Sequence, residues 1–170
     1  MAFELKTERL EIRPLTASDE AAVVAQLGDY EVSRWLTVVP YPYAPKDFKD
    51  FLGFLEADQR EGLAIHAAEG LIGVIGATDR LGYWLGRAHH GKGYMSEAAE
   101  AIVEEHFACG AQELRSGYFE GNLGSARVLE KLGFRPTCRD EKVSSVAQGV
   151  EVTLKNVILT RKVWEARHGA

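Results

Sequence analysis

The segment Gly82-Tyr83-Trp84-Leu85-Gly86-Arg87-Ala88-His89-His90-Gly91-Lys92-Gly93-Tyr94-Met95-Ser96-Glu97-Ala98 constrains this chain more than any other. An apolar strand runs straight into a glycine-bearing turn, and the turn opens an amphipathic helix. Glycine lets the backbone approach a ligand closely, and the free N–H groups at a helix start attract anions. The first expectation is therefore a phosphorylated cofactor or substrate held at this junction.

The flanking sequence supplies a frame for it. With 170 residues there is room for one domain with a real core, and 1–170 reads as a single unit. Leu10 to Leu15 alternates apolar and polar positions as a strand does. Thr16 or Ser18 can cap a helix over 18–28, with Asp19 and Glu20 near its positive end, and 29–36 adds a short helix. Pro40-Tyr41-Pro42-Tyr43-Ala44-Pro45 is a loop, because proline removes helix donors. A helix over 46–60 follows, with Phe48, Phe51, Leu52 and Leu55 on one stripe.

From Leu63 the period shortens to two, giving strands over 63–68, 71–78 and 81–86, the first two joined at Glu69-Gly70. The helix after the glycine turn puts Met95, Ala98, Ala99, Ile102, Val103 and Phe107 on one face, opposite Glu97, Glu100 and Glu104. A strand over 114–119 comes next, then a short helix opened by Asn122 and stopped by Gly133. A brief strand over 134–138, a polar loop over 139–149 and a closing strand over 150–159 complete the order. Helices first, then a β-meander, then a βαβαβ run make an α+β, mixed-sheet domain.

Composition narrows the function class. A formal charge of -5 disfavours a general nucleic-acid binder, which needs a Lys/Arg surplus to displace counterions. Cys109 and Cys138 have no metal-ligand spacing and no disulfide framework. No run of about 18 apolar residues occurs and the first residues lack a basic n-region, so a soluble, cytoplasmic protein without a membrane span is expected.

Gly86 to Lys92 fits the first seven positions of a Walker A loop, but Gly93 stands where Ser or Thr should hold Mg²⁺. A nucleotide binder and a purely structural glycine turn both stay open on this segment alone. The second motif decides between them: Glu120-Gly121-Asn122-Leu123-Gly124-Ser125-Ala126-Arg127-Val128-Leu129-Glu130-Lys131-Leu132-Gly133-Phe134. Together with Gly82 to Ala98 it resembles the GCN5-related N-acetyltransferases (GNAT), in particular the RimJ/RimL-like branch. Thr7 to Leu15, Tyr41-Pro42-Tyr43 and Arg161 to Trp164 are similar to that family's opening strand, substrate-side loop and ending.

The resemblance implies the acyl-CoA N-acyltransferase fold, a mostly antiparallel central sheet flanked by helices, and acetyl-CoA as acetyl donor with no metal. It implies that Arg87 and the backbone of Gly91, Lys92, Gly93, Tyr94, Met95 and Ser96 hold the pyrophosphate. Trp84, Leu85 and Gly86 lie on the strand whose backbone N–H stabilises the thioester oxygen. Asn122 and Ser125 face the pantetheine arm, Ser125 being the candidate proton donor to sulfur. As an N-cap, Asn122 has a structural role too, and Ser125 is small enough to be packing alone. The chain departs from the family at several points: His90 replaces Gln or Arg, Met95 replaces Gly or Ala, Leu129 replaces a tyrosine acid, and Arg80-Leu81 stand where relatives often have a Glu.

An amine attacks a thioester only when neutral, so a base or an ordered water must take its proton. Asp79, Glu120 and His66 are the candidates beside water. Trp35, Tyr41, Tyr43 and Trp84 are expected to wall the acceptor site, which would take a protein N-terminal α-amine or a small-molecule amine. A non-catalytic acyl-CoA-binding sensor is the rival from another class, and a homodimer is the default assembly for a small enzyme.

Overall fold

The computed structural model describes residues 3–58 and 62–169. Its strands form one sheet: β1 (Leu5–Lys6), β2 (Glu11–Pro14), β3 (Leu63–Ala67), β4 (Gly70–Ala77), β5 (Arg80–Leu85), β6 (Glu113–Phe119), β7 (Arg135–Pro136), β8 (Glu141–Ser145) and β9 (Val150–Thr160). The spatial order is β1-β2-β3-β4-β5-β6-β9-β7, with β8 also pairing to β9. Every pairing is antiparallel except β5 with β6. The helices are α1 (Glu20–Leu27), α2 (Tyr30–Ser33), α3 (Pro45–Asp58), α4 (Tyr94–Ala108), α5 (Leu123–Leu132) and α6 (Arg161–His168). This is the expected α+β architecture.

Two apolar layers cover the sheet. On one face α4 buries the whole stripe anticipated for it, Met95, Ala98, Ala99, Ile102, Val103 and Phe107, against Ile65, Leu81, Leu114 and Leu159. The two alanines let α4 sit close to the strands. On the other face α1 and α3 bury Val23, Leu27 and Phe48 against Ala64, Leu71 and Val74. At Gly73 of β4 an added Cβ would lie 2.3 Å from the Trp84 carbonyl oxygen, so a hydrogen there lets β5 lie tight on β4.

Two expectations are corrected and two elements are added. The polar stretch 139–149 contains β8, which pairs along β9 from Glu141↔Leu154 to Ser145↔Val150. It has no apolar alternation because Glu141, Lys142 and Ser144 are exposed at the sheet margin, so the partner strand rather than a buried face defines it. The strand expected over 134–138 shrinks to two residues, since Pro136 cannot donate to a ladder. Arg161 to His168 is a helix capped by Thr160, anchored by buried Trp164. A short β1 precedes the first expected strand. The helix expected over 46–60 is seen to Asp58, and its last two positions lie outside the described residues.

Candidate active site

β5 and β6 share only the pairs Arg80↔Arg115 and Leu81↔Ser116. Beyond them the two strands part, and a cleft of about 1080 Å³ opens, at the upper end of small-molecule sites. The divergence makes the site: the backbone groups that β5 would have offered to β6 face the cleft instead.

At the C-terminal end of β5 lies an anion cradle. Gly91 and Gly93 adopt φ of +74° and +77°, the left-handed region that suits glycine. Gly93 precedes α4 without any side-chain cap, and Glu97 is the first residue whose N–H finds a helical partner, the Gly93 carbonyl. The N–H groups of Tyr94, Met95 and Ser96 are thus left for a ligand at the positive end of a 15-residue helix. Tyr94, Met95, Ser96, Gly91, Gly93 and Arg87 all line the cleft. Arg87 is exposed and lies 3.5 Å from Asp29. Lys92 and Gly86 do not line it: Lys92 points outward, and the buried Gly86 gives its N–H to Ile72 O at 2.8 Å.

The cradle is braced from the first strands. Arg9 donates to Glu97 Oε2 at 2.7 Å and to the Lys92 carbonyl at 2.9 Å, and its guanidinium sits 4.4 Å from the centre of the Tyr94 ring. Burial alone would raise the Glu97 carboxyl. The hydrogen bonds from Thr7, the Arg9 N–H and the Arg9 guanidinium outweigh it and hold the group below the usual carboxylate range. Sequence reasoning placed Arg9 only in an opening strand, since its partners lie more than eighty residues away.

In the middle of β5 the alternation of an extended strand sorts the donors. Gly86 N–H turns to β4, so Leu85 turns its backbone groups the other way, toward the cleft. His90 Nε2 donates to the Leu85 carbonyl at 2.7 Å and fixes that peptide. Among Trp84, Leu85 and Gly86, this leaves Leu85 N–H as the cleft-facing donor.

Across from it, Asn122 caps α5, its Oδ1 accepting from Ser125 N at 3.3 Å. Ser125 Oγ lies 2.9 Å from the Tyr83 hydroxyl. Burial pushes the Tyr83 phenol up to about 12, against the opposing hydrogen bond of Ser125, so it stays protonated at neutral pH. Local sequence pattern gives Tyr83 no role, because its partner comes from a different element. Leu129, where relatives have a tyrosine, is buried in the core.

The β8–β9 hairpin is tied to the segment after α2 that borders the cleft. Val146 N–H donates to Thr37 O at 3.0 Å, and Gln148 Nε2 donates to Arg34 O at 2.7 Å. Trp35 lines the cleft and reaches toward Gly121, whose added Cβ would sit 3.9 Å from the indole. Trp84 lines it as well. Tyr43 does not: it is buried in the α1–α3 layer, and burial pushes its phenol up to about 12. Tyr41 packs edge-on against Tyr30 at 5.1 Å and is also outside the cleft wall.

The three side chains named as candidate bases lie elsewhere. Asp79 is exposed at the β4–β5 turn beside Thr78, and Glu120 is exposed and paired with Lys155 at 3.4 Å. His66 lies 3.6 Å from buried Asp19, far along β3. Two carboxylates that sequence reasoning passed over, Glu31 and Glu141, do line the cleft. Among the described residues no helix is long and apolar enough to cross a membrane.

Comparison with known proteins agrees with this geometry. The family model for the acetyltransferase (GNAT) domain matches residues 9–135. A probable N-acetyltransferase of Bacillus subtilis, YjcK, is 45% identical over 58 residues, 34% of this chain and 32% of that protein, so the aligned part spans about a third of that relative. The ribosomal-protein-S5-alanine acetyltransferase of Vibrio fischeri superposes with a TM-score of 0.78 at 18% identity, over 95% of this chain and 98% of that one. RimJ of Mycobacterium smegmatis, solved in complex with CoA-disulfide, superposes with a TM-score of 0.78 at 20% identity, over 95% and 87% of the two chains. With its sheet parted beside a glycine-lined helix start and a family match over most of its length, the chain belongs to the GNAT acetyltransferase family.

Proposed function

We propose that this chain transfers the acetyl group of acetyl-CoA to a primary amine, by direct attack while donor and acceptor are bound together. The observation that carries the reading is the continuity of one cleft, from the uncapped start of α4 to the Leu85 backbone and Ser125. The donor molecule supplies an activated thioester and a pyrophosphate by which to hold it. The N–H groups of Tyr94 to Ser96 bind that pyrophosphate, with Arg87 adding charge. Leu85 N–H stabilises the oxygen on which charge develops, with Trp84 and Met95 lining the same cleft. Ser125, held by Tyr83, gives a hydrogen bond to the leaving sulfur. The amine enters past Trp35, and a protein N-terminal α-amine or a small-molecule amine fits such an open mouth. The acetyltransferase named for ribosomal protein S5 alanine supports the first of these.

The test is calorimetric binding of acetyl-CoA, followed by thiol release over a panel of peptides and small amines. Saturable binding with acceptor-dependent thiol release is expected. A folded chain that binds no acetyl-CoA sinks the proposal; binding without turnover on any amine favours a sensor module instead.

A further inference from the structure

Resting on that function, the parted strands need a group that accepts protons from the acceptor nitrogen, and a second network in the cleft supplies one. Arg80, at the N-terminal end of β5, donates to Asn156 Oδ1 at 3.1 Å. Asn156 Nδ2 in turn donates to Glu141 Oε1 at 2.9 Å and to the Arg139 carbonyl at 2.9 Å. Three strands, β5, β9 and β8, thereby converge on one carboxylate. Register puts these residues on one face of the sheet: Asn156 stands opposite Gly117 and Glu141 opposite Leu154. Gly117 leaves the room required, because an added Cβ would lie 3.0 Å from Arg80 Nη2. Arg80, Gly117, Glu141 and Leu154 all line the same cleft as Leu85 and Ser125.

The other cleft carboxylate, Glu31, lies 3.6 Å from Arg34 on α2, outside the sheet. Glu141 keeps its second oxygen free of protein partners among the described residues. Other charges nearby are engaged. Lys155, on the opposite face of β9, pairs with Asp140 at 2.7 Å, Lys142 donates to Thr153 at 2.6 Å, and Arg115 is held by Glu113 at 3.0 Å. Arg80 reaches the carboxylate across Asn156, and this chain of hydrogen bonds orients it.

We infer that Glu141 binds the acceptor ammonium and accepts its proton, with Asn156 and Arg80 as positioning residues. The ammonium loses one proton through Glu141 to solvent, and the freed lone pair forms the C–N bond. The C–S bond breaks with its electron pair on sulfur, and the nitrogen's second proton ends on that sulfur. Gly82 and Gly117 offer no side chains in the cleft beside this network, which leaves room for an amine to reach the carboxylate.

The experiment measures acetyl-CoA affinity and the pH profile of kcat/KM for the amine in wild type, Glu141→Gln and Asn156→Ala. Glu141→Gln should keep its acetyl-CoA affinity and lose about a hundredfold in kcat/KM near pH 7. Above the pKa of the acceptor amine the deficit should shrink, because the nucleophile is already neutral there. Asn156→Ala should raise KM for the amine more than it lowers kcat. A Glu141→Gln protein that matches wild type at every pH, or that loses the same factor at every pH, overturns the assignment alone. A wild type that binds no acetyl-CoA overturns the proposed function, and this assignment with it.

Discussion

The Tyr83 hydroxyl sits 2.9 Å from Ser125 Oγ and so ties the parting strand β5 to the first turn of α5. With its phenol pushed up to about 12, Tyr83 keeps its proton at any physiological pH and can donate it to Ser125 Oγ, which leaves the Ser125 hydroxyl able to donate elsewhere. Tyr83→Phe is expected to lower kcat about fivefold to tenfold, the worth of one buried hydrogen bond, with acetyl-CoA affinity unchanged. Ser125→Ala should cost at least as much. Steady-state thiol release with both substrates varied checks this, and an unchanged kcat in Ser125→Ala would refute a role at sulfur.

Arg9 braces the cradle without lining the cleft, through Glu97, the Lys92 carbonyl and the Tyr94 ring. Arg9→Ala should weaken acetyl-CoA binding several-fold while leaving kcat at saturation near wild type. Isothermal titration reads the first and saturation kinetics the second. Equal affinity in the variant would show that the loop holds its shape unaided.

Gly73 tests the close approach of β4 and β5. A methyl there would lie 2.3 Å from the Trp84 carbonyl, a backbone atom that cannot swing aside. Gly73→Ala should destabilise the fold by about 1–3 kcal/mol, the usual cost of overpacking, and reduce turnover by displacing the Leu85 peptide. Urea unfolding and kinetics together decide it, and a variant of wild-type stability would mean the strands separate freely.

Acid sensitivity should trace to Asp19. Burial would raise its carboxyl, but the bidentate Arg13 contact, the Thr16 N–H and His66 hold it lower than usual. Its stabilisation is therefore present above the unfolded value of about 3.9 and is lost as pH falls through the lower folded value. His66 adds a loss of the same sign below its unfolded value of about 6.5, because burial, then Arg13, keeps it neutral. Melting curves from pH 7 to pH 3 should fall steeply for wild type and less steeply for Asp19→Asn. Parallel slopes would exclude Asp19 as the source.

How much of this was legible beforehand depended on range. The α4 stripe, the Asn122 and Gly133 caps and the strand–turn–helix junction follow from local periods and backbone needs, and all were readable from neighbouring residues. β8 was not, because an exposed polar strand owes its conformation to β9 rather than to its own pattern. For the same reason the cleft carboxylates were missed: Glu141 is brought in by register with Leu154, and the side chains chosen for closeness in sequence, Asp79 and Glu120, fall outside. Tyr43 shows the reverse error, an aromatic loop residue that packs into the core.

The pairing of β5 with β6 over only two residue pairs has a mechanical consequence. The Leu85 peptide of the proposed donor site and Arg80 of the proposed acceptor network are fixed to one six-residue strand, about 20 Å long, that is itself clamped along β4. In the reaction proposed above, donor and acceptor are thus gauged against a single rigid rule, while the β8–β9 hairpin and the segment after α2 are held to each other. Changes in the loop between β8 and β9, or in the segment after α2, would leave that rule in place, so such a scaffold can vary its opening while the strands that carry Leu85, Arg80 and Glu141 stay as they are.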